Sequence, residues 1–238
     1  MAQRARCPDI SPMTSIKDRI PRGIGKAIQS VLQESRILLQ HSSGVRKARQ
    51  YANRTCLKLN VGCGAHTKAG WVNIDIAPNV DLTLDARRES PLRDGCASEF
   101  YSEHLVEHLE YPVSARVFLS EAFRVLEPGG QFSVGVPDTE WILRDYNGLP
   151  YREHAPGEWL KFVIDGHHHP KWCHTPLDHI NHHFRQYSEH KYAYDFETLA
   201  DALKQAGFVN MRQREFDASR DSAARAIGTL YVDAEKPL

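Results

Sequence analysis

Apolar positions in this chain follow two rhythms. Leu57, Leu59 and Val61 alternate with polar residues and run into Gly62 and Gly64, the pattern of a strand entering a turn. Further short extended runs are read at Trp71 to Ile76, about Leu82 to Leu84, Ser98 to Ser102, and Phe132 to Val136. Ala115, Phe118, Leu119, Ala122, Val125 and Leu126 recur at helical spacing, with Pro112 near the start and Pro128-Gly129-Gly130 at the end. Phe196 to Ala206 repeats that spacing and stops at Gly207, a cap position. Val209 to Phe216 and Thr229 to Val232 read as a late antiparallel pair. Near the start, Ile24, Ile28, Val31, Leu32, Leu38 and Leu39 predict an amphipathic helix bounded by His41 to Gly44. Strands alternating with helices point to an α/β fold around a mostly parallel sheet.

Two stretches depart from this rhythm. Only six residues, Ala65 to Gly70, separate Gly64 from the second strand, too few for a crossover helix. About 139–195 the periodicity is poor, and Trp141, Tyr146, Tyr151, Trp159, Phe162, Trp172 and Phe184 mingle with nine histidines. This segment reads as an insertion over the sheet's ligand edge. Residues 1 to about 20, with Pro8 and Pro12, read as disordered.

Charge adds one feature. The 238 residues carry no formal net charge, yet residues 1–50 hold ten basic against three acidic side chains, +7, which leaves −7 for the rest. The division expected is a basic extension over 1–50 and one domain over 51–238. The arm is read as a solvated extension, with contact to an anionic membrane surface through its helix left open. An acidic domain makes a nucleic-acid partner unexpected. Five scattered cysteines without a Cys-x-x-Cys pair, and no signal-like or spanning segment, suit a reducing cytoplasm.

The candidate chemistry lies where strands end. In an open α/β sheet, ligands bind outside the carboxyl ends of the strands. Four features are expected there: Gly62 and Gly64, Asp75, Asp85, and Glu103-His104. A dinucleotide loop would need a third glycine where Thr67 stands, and no Gly-Lys-Ser or Gly-Lys-Thr phosphate loop occurs. A carboxylate at the second strand suits a ribose diol, and one after the third suits an exocyclic amine.

Four segments together resemble class I S-adenosylmethionine-dependent methyltransferases, nearest the bacterial type 11 branch. They are Val61-Gly62-Cys63-Gly64, Asn73-Ile74-Asp75, Glu103 to Leu109, and Arg124-Val125-Leu126-Glu127-Pro128-Gly129-Gly130. Leu203, Ala206, Gly207 and Phe208 fit the family's closing helix and strand. The resemblance implies a Rossmann-like, doubly wound, seven-stranded sheet in the order 3-2-1-4-5-7-6, with strand seven antiparallel. It implies S-adenosyl-L-methionine as cofactor, held by Asn60, Val61, Gly62, Cys63, Gly64, Asp75, Ile76, Asp85, Ser102, Glu103 and His104. Asp75 matches the ribose-binding acid and Asp85 the adenine-contacting one. One departure is the spacing: Asp75 lies 11 residues beyond Gly64, where about 20 is usual. Shortened loops of this kind resemble a branch encoded with surface-polysaccharide enzymes.

The implied reaction is methyl transfer to oxygen or nitrogen of a small-molecule or saccharide-like acceptor. Such an acceptor must lose a proton, and histidine is the natural base near neutral pH. His104 is the first candidate, with helix capping as its alternative. In the insertion, His167-His168-His169, His174, Asp178-His179 and His182-His183 admit three readings. One is a divalent metal, with His179 and His183 sharing a helix face. Another is an acceptor pocket using Asp178 and His179 as base and orienter, and the last is a hydrogen-bonded lid. No zinc signature spacing is present, so no metal ligand is assigned. A non-catalytic cofactor-binding module and a histidine-centred metal enzyme remain as alternatives.

Overall fold

The computed structural model describes residues 21–238, so the reading of residues 1 to about 20 lies outside the described residues. The chain divides into two compact units at Leu39/Gln40. Helix α1 (Arg22–Ala48) opens the described chain. The second unit holds strands β1 (Leu57–Val61), β2 (Val72–Asp75), β3 (Leu82–Thr83) and β4 (Ala97–Glu103), then helix α2 (Val113–Val125) and strand β5 (Leu126–Pro137). Helices α3 (Thr139–Tyr146), α4 (Glu158–Asp165) and α5 (Pro176–Arg185) make up the insertion. Helix α6 (Phe196–Ala206) and strands β6 (Val209–Arg214) and β7 (Thr229–Glu235) close the fold.

The seven strands form one sheet in the order β3-β2-β1-β4-β5-β7-β6, as the resemblance implies. Pairs from β3 through β5 are parallel, with Leu59 beside Val72 and Phe100. β7 is antiparallel to both β5 and β6. The core follows from the apolar stripes. Phe118, Leu119, Ala122 and Val125 of α2 and Leu199 and Leu203 of α6 pack with Leu59, Phe100, Phe132 and Val134 of the strands. Gly207 takes φ +104° and ends α6 in the left-handed region that glycine adopts without a Cβ penalty.

Among the boundaries that differ from the sequence reading, two bear on packing. Helix α1 continues through His41 to Gly44, which were expected to end it. Gly44 is a packing position: a Cβ there would strike the Thr83 carbonyl at the sheet's outer strand. Residues 41, 44 and 48 share that face, and His41 Nδ1 accepts the Asp85 amide at 3.1 Å. Strand β5 begins at Leu126, so Pro128-Gly129-Gly130 lies inside it rather than before it. Gly129 donates to the Lys236 carbonyl and Gly130 accepts from the Lys236 amide, which pairs this stretch with the chain after β7.

The insertion has a small core of its own, Trp141, Ile142, Tyr151, Trp159, Val163 and Ile180. Thr175 and Asp178 form a reciprocal capping box that starts α5.

Candidate functional site

Strand β1 delivers the chain to Gly62 at φ +75° and Gly64 at φ +51°. A Cβ on Gly62 would sit 2.6 Å from Leu105 Cδ2, so only glycine lets this turn pass beneath the β4 exit. The short spacing to Asp75 has a direct use. Asp75 Oδ2 accepts the Gly64 amide at 2.7 Å, and its Oδ1 accepts the Ala77 amide at 2.7 Å. The carboxylate clamps the loop, and each oxygen keeps further acceptor capacity. Asn60 Nδ2 donates to the His66 carbonyl at 3.0 Å and to Asn73 Oδ1 at 2.9 Å. Asn73 Oδ1 also accepts the Lys68 amide at 2.7 Å. These asparagines order a connection that holds no helix.

A cleft of about 570 Å³ opens over this loop. Of the residues expected to hold a cofactor, Asn60, Gly62, Cys63, Gly64, Asp75, Ile76, Glu103 and His104 line it. Burial pushes the Cys63 thiol up to about 11, with Asp75 adding to the rise, so it stays protonated near neutral pH. Three expected residues stand elsewhere. Val61 packs in the core. Ser102 is fully buried, and its Oγ has no partner among the described residues. Asp85 borders a separate small cavity beside His41 and is 5% exposed. Burial would raise its carboxyl, but Arg87, bonded at 2.9 Å to both oxygens, holds it below the usual carboxylate range. The expected row of four thus closes to three. Asp85 is turned under by the guanidinium two residues later.

The opposite wall was missed in the sequence. Tyr101, Lys68, Arg220, Asp221, Ser222 and Arg225 complete the cleft. Tyr101 donates to Asp221 Oδ1 at 3.0 Å, and Arg214 Nη2 donates to the same oxygen at 2.8 Å. Arg214 also reaches Asp233 at 3.0 Å. Lys68 Nζ lies 3.1 Å over the Tyr101 ring and donates to the Arg220 carbonyl. Burial lowers Lys68 to about 8 against the pull of Glu103 and Asp221. The available signal was the density of charge between β6 and β7, which has no periodicity to announce a role.

His104 stands at φ +53° at the end of β4. Its Nε2 is 2.9 Å from Thr229 Oγ1, and its Nδ1 is 3.2 Å from Glu107 Oε1. Glu107 is 1% exposed, and neither of its oxygens completes a hydrogen bond among the described residues. Burial would raise that carboxyl, but the His104 contact and the charges of His104 and His108 hold it below its ordinary value. The imidazole borders the cleft on one side and a second cavity of about 220 Å³ on the other. That cavity is walled by Trp159, Phe162, His168, His183 and His190 from the insertion side, and by Gly228 and Thr229 ahead of and in β7. Burial, then neighbouring His190, push His183 down to about 3, so its ring is neutral.

Asp178 and His179 do not join this site as base and orienter. Asp178 Oδ2 accepts the His174 and Thr175 amides at 3.0 and 2.9 Å, which commits it to capping α5. His179 Nδ1 is instead 3.0 Å from His169 Nδ1. His183, four residues on, faces the second cavity, so the pair 179/183 is split.

No family model matches the chain. An uncharacterised 37.1 kDa protein in transposon TN4556 of Streptomyces fradiae is 35% identical over 72 residues, 30% of this chain. The match spans 20% of that relative's length. Among solved structures, a possible exported protein from Bordetella parapertussis is 18% identical, with TM-score 0.47 over 83% of this chain and 67% of that one. A SAM-dependent methyltransferase from Archaeoglobus fulgidus is 16% identical, with TM-score 0.45 over 84% of this chain and 94% of that one.

Proposed function

We propose that this chain is an S-adenosylmethionine-dependent methyltransferase acting on oxygen or nitrogen of a small-molecule or saccharide-like acceptor. The observation that carries this reading is the position of His104 between two cavities. One cavity is floored by the glycine turn and the Asp75 carboxylate, the other is walled by the insertion. The first suits the donor. It has the volume of an ordinary ligand site, a loop on which a Cβ has no room at Gly62, and an acid with lone pairs to spare for a ribose diol. Ile76, half exposed beside Asp75, offers an apolar surface for a base.

The donor supplies a methyl carbon on a cationic sulfur, which leaves with the C–S electron pair. The chain's part is then alignment and proton removal. Glu107 Oε1, 3.2 Å from Nδ1, is the carboxylate placed to take up the Nδ1–H of His104, and with the proton held there Nε2 is the basic atom. An acceptor entering from the second cavity would take the place of the Thr229 hydroxyl at Nε2, which would hold the proton the acceptor loses. Trp159 and Phe162 give that cavity the flat apolar faces that stack on a sugar or other ring.

Titration calorimetry with S-adenosylhomocysteine tests the first half. Micromolar binding is expected, and Gly62→Arg should abolish it. Absent binding, or a Gly62→Arg variant that binds like wild type, would sink the reading. Isotopically labelled donor in cell extract, read by mass spectrometry, tests the second half. Binding without turnover across a broad acceptor panel would leave a non-catalytic module.

A further inference from the structure

The insertion's histidines form two overlapping sets. His168, His169, His182, His183 and His190 line the cavity beside His104. His169 and His179 face each other. Their Nδ1 atoms are 3.0 Å apart and their rings are stacked at 24°. Cys173 Sγ belongs to this second set, and the three donor atoms all lie within 4.8 Å of one another. His182 follows His179 by three residues on α5, so both rise from one helix face. Its ring centroid is 4.7 Å from that of His169, and its Nδ1 is buried with no partner among the described residues. A buried ring nitrogen without a partner calls for an explanation, and an ion is one.

We propose that His169, Cys173 and His179 hold a zinc ion that ties the loop before α5 to α5 itself, with His182 the neighbouring imidazole that completes the four-coordinate set. One thiolate with imidazoles is the borderline-soft donor set that zinc takes in four-coordinate sites. The loop supplies His169 and Cys173, and the helix supplies His179 and His182. The insertion's own core holds only six buried apolar side chains, a size at which small folds commonly depend on a metal. On binding, the Cys173 S–H bond breaks, the sulfur keeps the electron pair for the metal, and the proton goes to solvent. A second group, Glu107, His108 and His190, also comes within 4.8 Å. There Glu107 already serves His104, while His108 and His190 meet backbone carbonyls through Nδ1. This inference does not rest on the methyltransferase reading.

The test uses the full chain, stripped with chelator and titrated with cobalt(II), then zinc(II). One equivalent of cobalt should give the intense visible bands of a tetrahedral site and a thiolate-to-metal charge-transfer band, both erased by zinc. Cys173→Ser should remove the charge-transfer band, and Cys173→Ser and His179→Ala should each weaken zinc binding about 100-fold. His190→Ala should bind as wild type does. Absence of the thiolate band, a wild-type affinity in Cys173→Ser, or loss of the site in His190→Ala would overturn the assignment. If a variant misfolds, alkylation of Cys173 in the wild-type chain decides. Protection by one equivalent of zinc supports the site, and undiminished alkylation refutes it.

Discussion

At the scale of single residues, the site depends on a few atoms with more than one task. His104 meets Glu107 and Thr229 through its two ring nitrogens and borders both cavities. His104→Ala is expected to lower kcat by about 10²- to 10⁴-fold, the usual reach of general base catalysis, while S-adenosylhomocysteine affinity changes little. Equal losses in both would assign His104 to donor binding. Lys68 carries a pH signature. Its folded value of about 8 lies below the unfolded value of 10.5, so the folded state sheds its proton first. The charged form is disfavoured in the fold at lower pH. Stability should therefore rise from about pH 8 toward pH 10, and the rise should vanish in Lys68→Met. Urea midpoints of both proteins across that window check the sign. These roles were partly legible: His104 sat where a strand was expected to end. Lys68 and Asp221 were not, because 153 positions separate them and only the sheet brings their charges to one cleft.

At the scale of elements, periodicity located the seven strands and helices α1, α2 and α6 but missed α3, α4 and α5 in the insertion, and packing decided the ends. Gly44 is the clearest case. In a helix interior alanine is favoured over glycine by about 1 kcal/mol. Here a Cβ would press on the backbone of Thr83, which cannot swing aside, and overpacking costs about 1–3 kcal/mol. Gly44→Ala should thus be net destabilising by chemical denaturation, and a stabilised variant would show that the contact yields. Asp178 is a second case. As a capping residue its loss should lower the melting of the insertion and leave kcat unchanged. A fall in kcat with unchanged melting would restore it to the chemistry. The capping box at Thr175 to Asp178 was present as a motif, yet adjacency to His179 invited a chemical reading. Backbone amides claimed the carboxylate, since a helix start leaves donors that need acceptors.

At the scale of the whole molecule, the parallel part of the sheet offers strand ends to the cleft over the glycine turn, and insertion residues wall the cavity on the other side of His104. Donor binding and metal binding should therefore be separable. S-adenosylhomocysteine at 100 times its Kd should raise the unfolding free energy of the full chain by about 2.7 kcal/mol, measured by urea denaturation. Chelation should leave that increment intact, because His169, Cys173 and His179 do not line the cleft. A ligand that leaves the transition unmoved would mean that the native state does not bind it. No helix among the described residues is long and apolar enough to cross a membrane.

By itself the sequence determined the strand order's raw material: seven short extended runs, the glycine turn after the first, and the acid that follows the second. Such features are local, because alternation, helical spacing and glycine's freedom act within a few residues. Only the tertiary structure decided which side chains share a hollow. It withdrew Asp85 beneath Arg87, gave Glu107 to His104, turned His179 toward His169, and brought Lys68 and Asp221 to one wall. Each outcome is a competition among partners that no sequence interval encodes. A buried polar group takes whichever donor or acceptor the packed chain leaves within reach.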